Sequence, residues 1–224
     1  GDVITVCLSG SCDYASIQTA VDDAAPGDEI RVAAGTYTDM NVRPRNDITT
    51  TGVVTQVVYI SKTVIIRGGY NAEFSAWDPD TYYTTLDAQR QGRVIYITGD
   101  ISPTIEGLRI TGGNATRLDG ALGYDAGGGV YAISATATIS NNQVFSNTAE
   151  YGGGLFQGYG DATLSGNMVF SNIATFYGGG LCLGYSSATL SGNTVFSNTA
   201  VSGGGGLGLG YSNATLSGNT VFSN

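Results

Sequence analysis

The sequence has no histidine, and proline accounts for only 4 of its 224 residues. Without histidine, the chain lacks the side chain that most often serves as a general base or zinc ligand near neutral pH. Its nine lysine and arginine residues all precede residue 118, and its net charge is −9. This acidity argues against partners such as nucleic acid or an anionic membrane surface, because binding to either requires positive charge.

No apolar run is long enough to span a bilayer, and no secretory signal peptide is present. Because the chain begins at Gly1 and not at Met, we expect it to be the processed form of an exported protein. The last residue, Asn224, falls within a repeat, so we expect either a shortened or a naturally longer chain. Together with the low charge, these features predict a secreted or cell-surface location.

What the sequence does contain is a repeat of 25 or 26 residues. Residues 178–198 (GGGLCLGYSSATLSGNTVFSN) recur almost unchanged at residues 204–224, and an earlier copy occupies residues 152–172. Each copy holds short runs rich in Leu, Val, Thr and Phe that end at Gly, Ser or Asn, without helical spacing. One such unit cannot bury a core alone, but stacked units can do so as coils of a parallel β-helix.

The segment before the repeats has a different character. Apolar residues recur with helical spacing between residues 16 and 25, which predicts a short amphipathic helix capped by Ser16 or Asp13. We expect this helix to cover the open end of the first coil, where strands would otherwise be unpaired. Residues 40–56 and 69–85 are predicted to be loops outside the core.

Residues 16–38 (SIQTAVDDAAPGDEIRVAAGTYT) comprise the predicted helix, Pro-Gly-Asp, an alternating strand and Gly-Thr-Tyr. This opening resembles that of right-handed parallel β-helix proteins of the pectate-lyase-like superfamily. The block from GGYNAEFSAWDPD onward, with the GGGL…ATLSGN…SNTA repeats, resembles large exported β-helix proteins of filamentous green bacteria, mostly of undefined function. The Gly-Gly-x-Leu and Phe-x-Asn elements are similar to repeats of polymorphic outer-membrane adhesins, although those typically have Phe-x-x-Asn.

These resemblances and the repeat imply an all-β chain that forms a right-handed parallel β-helix with a short N-terminal capping helix. The sequence predicts a single domain over residues 1–224. Within it we expect a strand and the cap helix at 1–28, irregular coils with side loops at 29–126, and regular repeats at 127–224.

The three cysteines divide into a close pair and a single residue. Cys7 and Cys12 enclose LSGS, a spacer that lets a small disulfide close, and a disulfide would fit an oxidising compartment. The alternative is two free thiols. Cys182 corresponds to Phe156 and Gly208 in neighbouring repeats, so its position demands no particular size. We therefore expect it to face outward as a free thiol that an alkylating reagent reaches.

Candidates for catalysis are few and lie in the first half, because Glu150 and Asp161 are the only charged residues after residue 126. Lyases and hydrolases of the resembled superfamily use clustered carboxylates, with a basic residue or calcium. The candidates here are three carboxylates and two arginines: Asp87, Asp100, Glu106, Arg93 and Arg109. The alternative is that they are solvated loop charges and surface ion pairs.

No stretch matches a catalytic motif of those families, so we expect no catalytic residue, no cofactor and no metal site. Calcium was the other possibility, because Asp78, Asp80, Asp119 and Asp125 offer hard oxygen ligands. These aspartates lack the spacing of a known calcium loop, and turn formation is the favoured interpretation.

If the repeats stack, equivalent side chains form columns along the axis. Amide ladders are predicted for Asn167, Asn193, Asn219 and for Asn172, Asn198, Asn224, and an interior column for Leu155, Leu181, Leu207. A Phe column (Phe145, Phe170, Phe196, Phe222) alternates with valines, which leaves its side open. A third column, predicted to lie outside as a possible ligand or assembly surface, contains Tyr159, Tyr185 and Tyr211.

The leading functional hypothesis is a non-catalytic, exported structural solenoid that assembles head to tail through its open coil ends. The alternatives are an adhesin or carbohydrate-binding module with a glycan or surface partner and, less favoured, a polysaccharide lyase or hydrolase. The alternative to a binding surface is that the tyrosines stack on one another and only hold the coils together.

Overall fold

The computed structural model describes residues 1–45, 52–118 and 123–224. Within these ranges the chain forms one helix, α1 (Ile17–Asp23), and 25 strands, numbered in chain order. Strands that follow one another around a coil belong to different sheets, and each sheet gains strands from successive coils. No helix in this part of the chain is both long and apolar enough to cross a membrane.

Three long sheets, A, B and C, run along the axis, and a short sheet D accompanies them. Sheet A contains β1 (Val3–Val6), β2 (Glu29–Ala33), β6 (Ile65–Tyr70), β9 (Thr104–Glu106), β12 (Ala137–Ser140), β16 (Ala162–Ser165), β20 (Ser187–Ser191) and β24 (Asn213–Ser217). Sheet B contains β3 (Gly35–Tyr37), β7 (Thr84–Asp87), β10 (Leu108–Thr111), β13 (Gln143–Phe145), β17 (Met168–Phe170), β21 (Thr194–Phe196) and β25 (Thr220–Phe222). Sheet C contains β4 (Asn41–Pro44), β5 (Val53–Ile60), β8 (Arg93–Thr98), β11 (Val130–Ile133), β15 (Leu155–Gly158), β19 (Leu181–Gly184) and β23 (Leu207–Gly210). Sheet D contains β14 (Thr148–Tyr151), β18 (Ile173–Tyr177) and β22 (Thr199–Ala200).

Residues that are one repeat of 25 or 26 residues apart pair with each other in the sheets. Leu155 pairs with Leu181, and Leu181 pairs with Leu207, in parallel strands of sheet C. Parallel neighbours lie roughly 4.8 Å apart, so one repeat completes one lap and lands directly on the previous one. The predicted parallel β-helix, with its N-terminal helix, is thus confirmed.

Alternate residues of each strand point into the coil, where they form one continuous apolar core. The first half fills it with large branched side chains such as Ile95 and Ile105, whereas later coils use Leu164 and Leu190 with small alanines. In sheet B the valines of the repeat face inward, since Val169 and Val195 are buried. The Phe column therefore lies on the outer face, with successive ring centroids 5.1 to 5.3 Å apart.

Two asparagine ladders bind successive coils to one another. In each ladder the side-chain oxygen of one Asn accepts both the backbone N–H and the side-chain N–H of the preceding Asn, at 2.9 to 3.1 Å. Each side-chain amide also donates to a backbone carbonyl of the previous coil, as Asn167 does to Ile139. The ladders contain all six predicted asparagines and begin one rung earlier, at Asn142 and Asn147.

Two parts of the chain, α1 and residues 13–14, cover the N-terminal end of the coil stack. Ser16 caps α1 by accepting a hydrogen bond from the Thr19 N–H, and the apolar face of the helix joins the core. Gln18, which is buried, accepts the Tyr59 N–H at 2.6 Å and donates to the Tyr59 carbonyl, so it replaces a missing strand partner of β5. Asp13 and Tyr14 hydrogen-bond the outer edge of β1.

The prediction that residues 40–56 form a loop is wrong in its described part. β4 pairs with the beginning of β5 in an antiparallel ribbon, from Asn41 opposite Gln56 to Pro44 opposite Val53. The run of β-branched residues before residue 57 had a strand pattern, but Arg43 and Pro44 concealed it. Of the predicted side loop at residues 69–85, residues 71–83 do lie between β6 and β7, whereas its first two and last two residues belong to those strands.

Candidate functional site

The outer face of sheet C carries an aromatic column that tapers along the axis. Register aligns Tyr59, Tyr96, Tyr131, Phe156, Cys182 and Gly208, in that order. The first four rings stack with centroids 5.4, 4.9 and 5.6 Å apart. The column therefore begins with three tyrosines, narrows to a phenylalanine and a thiol, and ends with no side chain at all.

A buried arginine supports the thick end of this column. Arg93 is fully buried, its Nε donates to the Ala126 carbonyl at 2.8 Å, and its guanidinium lies 4.8 Å from the Tyr131 ring centroid. Burial lowers the pKa of this guanidinium, because the charged form loses hydration. Arg93 is thus part of the packing behind the column.

The expectation that Cys182 is accessible is wrong. Its side chain does leave the coil interior, because it alternates with the inward-facing Leu181 and Leu183, yet only 6% of the residue is exposed. Aromatic residues from two neighbouring coils, Phe156 and Tyr177, line the same enclosure. Burial raises the pKa of the Cys182 thiol to about 12, so the reactive thiolate is suppressed.

The predicted tyrosine column is on the outside and forms a ridge, hereafter the tyrosine ridge (Tyr159, Tyr185, Tyr211). The rings are parallel, with centroids 5.2 and 5.0 Å apart. Exposure rises along the ridge from 37% at Tyr159 to 86% at Tyr211. Because the rings stack face to face, the ridge presents ring edges and hydroxyls to its sides.

The backbone of each ridge tyrosine is left-handed, with φ of 49°, 51° and 50°. This conformation costs an L-residue about 1–2 kcal/mol, and other corners of the coils use Gly or Ser for it, for example Gly178 and Ser197. A bulky ring at a repeated corner of this kind is more costly than glycine. The cost of this backbone conformation must therefore be offset, either by stacking of the ring or by binding of a ligand.

Between the tyrosine ridge and sheet D lies a cleft of about 420 Å³, hereafter the aromatic cleft. Phe156 closes one end, and glycines and Cys182 form the floor. Tyr185 lines one side and Tyr151 and Tyr177 the other. The cleft exists because the aromatic column loses bulk at Cys182 and Gly208, while the ridge keeps its rings and sheet D contributes Tyr151 and Tyr177 before its own column ends at Gly203.

The opposite side of the ridge is polar. An open shelf of about 610 Å³ is lined by the ridge together with Asp100, Asp161 and Ser187. Asp161 accepts a hydrogen bond from the Ser187 backbone N–H at 3.0 Å. The ridge thus separates an apolar cleft from an acidic, hydroxyl-rich shelf.

The predicted catalytic candidates are not brought together. Glu106 lies on sheet A and Asp87 on sheet B, where it accepts the Gln89 backbone N–H. Asp100 lines the polar shelf. The Arg109 guanidinium is held between the rings of Tyr83 and Phe145, 4.7 and 5.2 Å from their centroids.

Glu106 instead belongs to an ion-pair cluster on the outer face of sheet A. Arg67 bridges Glu106 at 2.8 Å and Glu29 at 2.9 Å, and Arg31 bonds Glu29 at 3.1 Å. Burial acts to raise the pKa of Glu29, but the Arg31 hydrogen bond and the Arg67 charge outweigh it and lower the pKa. Both carboxylates are charge-paired, and the lowered pKa of Glu29 keeps that carboxylate ionised at neutral pH.

The remaining predicted positions have structural partners. Cys7 and Cys12 form a disulfide that positions Asp13 and Tyr14 against β1. Asp78 accepts the Asp80 N–H and the Thr81 hydroxyl, as a turn-forming aspartate does. Among the described residues no group of three or more potential metal ligands lies together, and Asp119 lies outside those residues.

Sequence reasoning missed the aromatic cleft, although it found one of its walls. The signal was present in the strict repeats, where Phe156, Cys182 and Gly208 occupy one position with falling size. The other wall comes from Tyr151 and Tyr177 of sheet D, and their pairing in that sheet passes through a bulge.

Comparison with known proteins gives two similarities. A family model described as a right-handed β-helix region matches residues 58–224. A solved structure of a pectin methylesterase variant in complex with a hexasaccharide is similar, with 12% sequence identity and a TM-score of 0.48. That similarity covers 88% of this chain and 56% of the other, so the present chain spans little more than half of it. No curated protein matches the sequence.

Proposed function

Since the chain belongs to the right-handed β-helix family, we propose that it is a non-catalytic structural rod that acts outside the cell. The observation that carries this proposal is the pair of buried asparagine ladders, which hydrogen-bond each regular coil to the next. Buried amides whose partners are all satisfied specify one register, because any slip would leave them unpaired. Such a coil stack is suited to holding a fixed length and shape.

The placement of charge supports a structural role. Glu29 and Glu106 are paired with arginines, and Asp87 serves a turn. In the described ranges, the carboxylates considered for catalysis therefore lie on different faces of the coil. Acid–base catalysis needs such groups positioned around one reacting bond, so a polysaccharide lyase or hydrolase is the least favoured function.

The Cys7–Cys12 disulfide supports the extracellular part of the proposal, because such bonds persist in oxidising compartments. Treatment of intact source cells with an external protease tests it. We expect the chain to be cleaved from outside, with the disulfide intact by mass spectrometry. Recovery of the chain only from the cytosol, with both thiols reduced, would contradict the proposal.

Self-association is the predicted partnership, and we propose that it involves the end of the coil stack opposite to α1. At the N-terminal end, α1 covers the core and Asp13 and Tyr14 occupy the outer edge of β1. At residues 204–224 the strands β23, β24 and β25 each have a neighbour on one side. Leu209, Leu216 and Phe222 are about half exposed there. In this proposal a second copy stacks on those three strands.

Sedimentation velocity at increasing concentration tests this association. We expect a larger species that diminishes when Thr215 and Thr220 are replaced by lysine, because charge on an open coil end opposes strand addition. Replacement of Thr163 and Thr189, which face solvent in the middle of sheet A, is the matched control. A monomer at all concentrations would refute the association and leave the rod itself intact.

A second candidate function, an adhesin or carbohydrate-binding module, is favoured by a specific observation. The tyrosine ridge keeps costly left-handed rings beside the aromatic cleft. Saturable binding of a glycan that Tyr185→Ala abolishes would support this function. A glycan array without any binding, together with rods of normal stability, would leave the structural role alone.

A further inference from the structure

The aromatic column on sheet C ends at a ring that has one face covered. Phe156 stacks on Tyr131 through one face, and the described residues provide no second ring partner for it. The next two positions of the column are Cys182 and Gly208, which are too small to continue the stack. The aromatic cleft therefore occupies the place of the next ring.

The surroundings leave room for a ring in that place. Phe156 lies across Gly158 and Gly184, because a Cβ at either position would lie 2.9 or 3.6 Å from its ring atoms. The cleft volume of about 420 Å³ falls within the ~300–1,000 Å³ typical of small-molecule sites. Gly184 and Gly210, at the following rungs, keep the floor equally open.

The residues that line the cleft indicate which kind of ligand ring it can bind. The lining is apolar apart from tyrosine hydroxyls, which can donate to or accept from hydroxyl groups on a ligand rim. No lysine or arginine lines the cleft in the described part of the chain, whereas Asp125 and Glu150 adjoin its Ala126 and Tyr151. Arg93 also adjoins Ala126, to whose carbonyl it donates, so the charges around the cleft are mixed. A carboxylate ligand would find no cationic side chain in the described lining to pair with, whereas an uncharged ligand needs none.

We propose that the aromatic cleft binds an uncharged pyranose ring of an oligosaccharide, stacked on the free face of Phe156 above Cys182 and Gly208. The apolar face of the sugar takes the position of the missing aromatic ring, and its hydroxyls meet the tyrosine edges. This inference rests on the second candidate function and goes beyond the structural role. It names the subsite and the charge of the ligand.

The test fills the cleft with the ring that the column lacks. In Cys182→Phe, the new ring would stack on Phe156 and lie across Gly184 and Gly210, as Phe156 lies across Gly158 and Gly184. Cys182→Ala is the control, since it removes the thiol and leaves the cleft open. The probes are two neutral hexasaccharides, cellohexaose and mannohexaose, and one charged hexasaccharide, hexagalacturonate. Binding is measured by calorimetry and saturation-transfer NMR.

We expect at least one neutral hexasaccharide to bind the wild type and Cys182→Ala, and at least a tenfold weaker affinity for Cys182→Phe. The thermal midpoint of Cys182→Phe should not fall, which separates blocking from unfolding. Equal binding by Cys182→Phe would overturn the subsite and leave a carbohydrate-binding function elsewhere on the chain. Absence of neutral binding to the wild type, or tighter binding of hexagalacturonate, would overturn the inference itself.

Discussion

The two halves of the coil stack solve the same problem with different chemistry. One outward-facing column of sheet A is charged in the first half, where Arg31, Arg67 and Glu106 align, and continues as serine from Ser140 to Ser217. The first half holds its coils with ion pairs, side loops and large aliphatic residues. Both halves contain stacked rings, and the second half adds the asparagine ladders.

The difference shows what a strict repeat achieves. A ladder needs the same amide at the same height in every coil, so it constrains sequence at every lap and tolerates no slip. An ion pair needs only a partner nearby, so the irregular half accommodates excursions such as residues 71–83. Four substitutions test this contrast, in order of falling effect.

The largest effect is expected for Asn172→Ala, in the middle of a ladder. Its side-chain oxygen accepts the backbone and side-chain N–H groups of Asn147, and its amide donates to Asn198 and Val144. Several buried groups would lose their partners at once, at about 1–3 kcal/mol each, so we expect a loss of about 4 kcal/mol. Urea unfolding measures it. Asn213→Ala, an exposed asparagine outside the ladders, is the control and should change stability by less than about 0.5 kcal/mol.

The next effect concerns the cap of the irregular half. Gln18→Ala would remove the hydrogen bonds that Gln18 makes with the buried N–H and carbonyl of Tyr59, so we expect a loss of about 2–3 kcal/mol. Amide hydrogen exchange at Tyr59 should accelerate at the same time. Thr19→Ala, on the exposed side of the same helix, is the control. Equal losses in the two variants would show that Gln18 acts through helix formation alone.

A smaller effect is expected for the pH dependence of the free energy of unfolding, to which the ion pairs of the first half contribute. Because the pKa of Glu29 is lowered in the fold, its contribution is present above its unfolded value and is lost as pH falls through the folded value. We expect the free energy of unfolding to fall below about pH 4.5, with about 1 kcal/mol of the fall absent in Glu29→Gln. Glu73→Gln, in an exposed loop, should keep the wild-type profile. An identical profile for Glu29→Gln would remove the ion-pair cluster from the account.

The smallest effect is expected in the ridge. Tyr185→Gly loses stacking on two rings but relieves a left-handed backbone, and each contribution is about 1 kcal/mol. We therefore expect thermal unfolding to change by less than about 1 kcal/mol. Tyr96→Ala, in the buried column, should cost about 3–5 kcal/mol. A comparable loss for Tyr185→Gly would show that the stacked tyrosines mainly hold the coils together, and it would weaken the argument for ligand binding.

The regular half could be predicted closely from the sequence, because its fixed period states which residues share a column. That is why Leu181 and Leu207, and the six asparagines, could be placed before any coordinates. The first half could not, since side loops of unequal length interrupt its period. The stacking of Tyr59 on Tyr96 is therefore invisible to a repeat search.

The candidate site was predictable on one side only. The varied size at its repeat position correctly indicates that Cys182 leaves the coil interior, but its burial depends on the side chains around it, among them Phe156 and Tyr177. A period describes neighbours along the axis and gives no information on lateral contacts. The cleft is such a lateral contact, between the ridge and residues of a different sheet.

Disulfide trapping between adjacent coils tests most directly the claim that each repeat lands in register on the last. Thr163 and Thr189 are register partners with exposed side chains, and neighbouring strands place such Cα atoms within disulfide range. Oxidation of Thr163→Cys/Thr189→Cys should give nearly complete cross-linking by mass spectrometry, whereas Thr163→Cys/Ser187→Cys, displaced by two residues, should give little. Equal cross-linking of the two pairs, or preference for the displaced pair, would contradict the in-register stack.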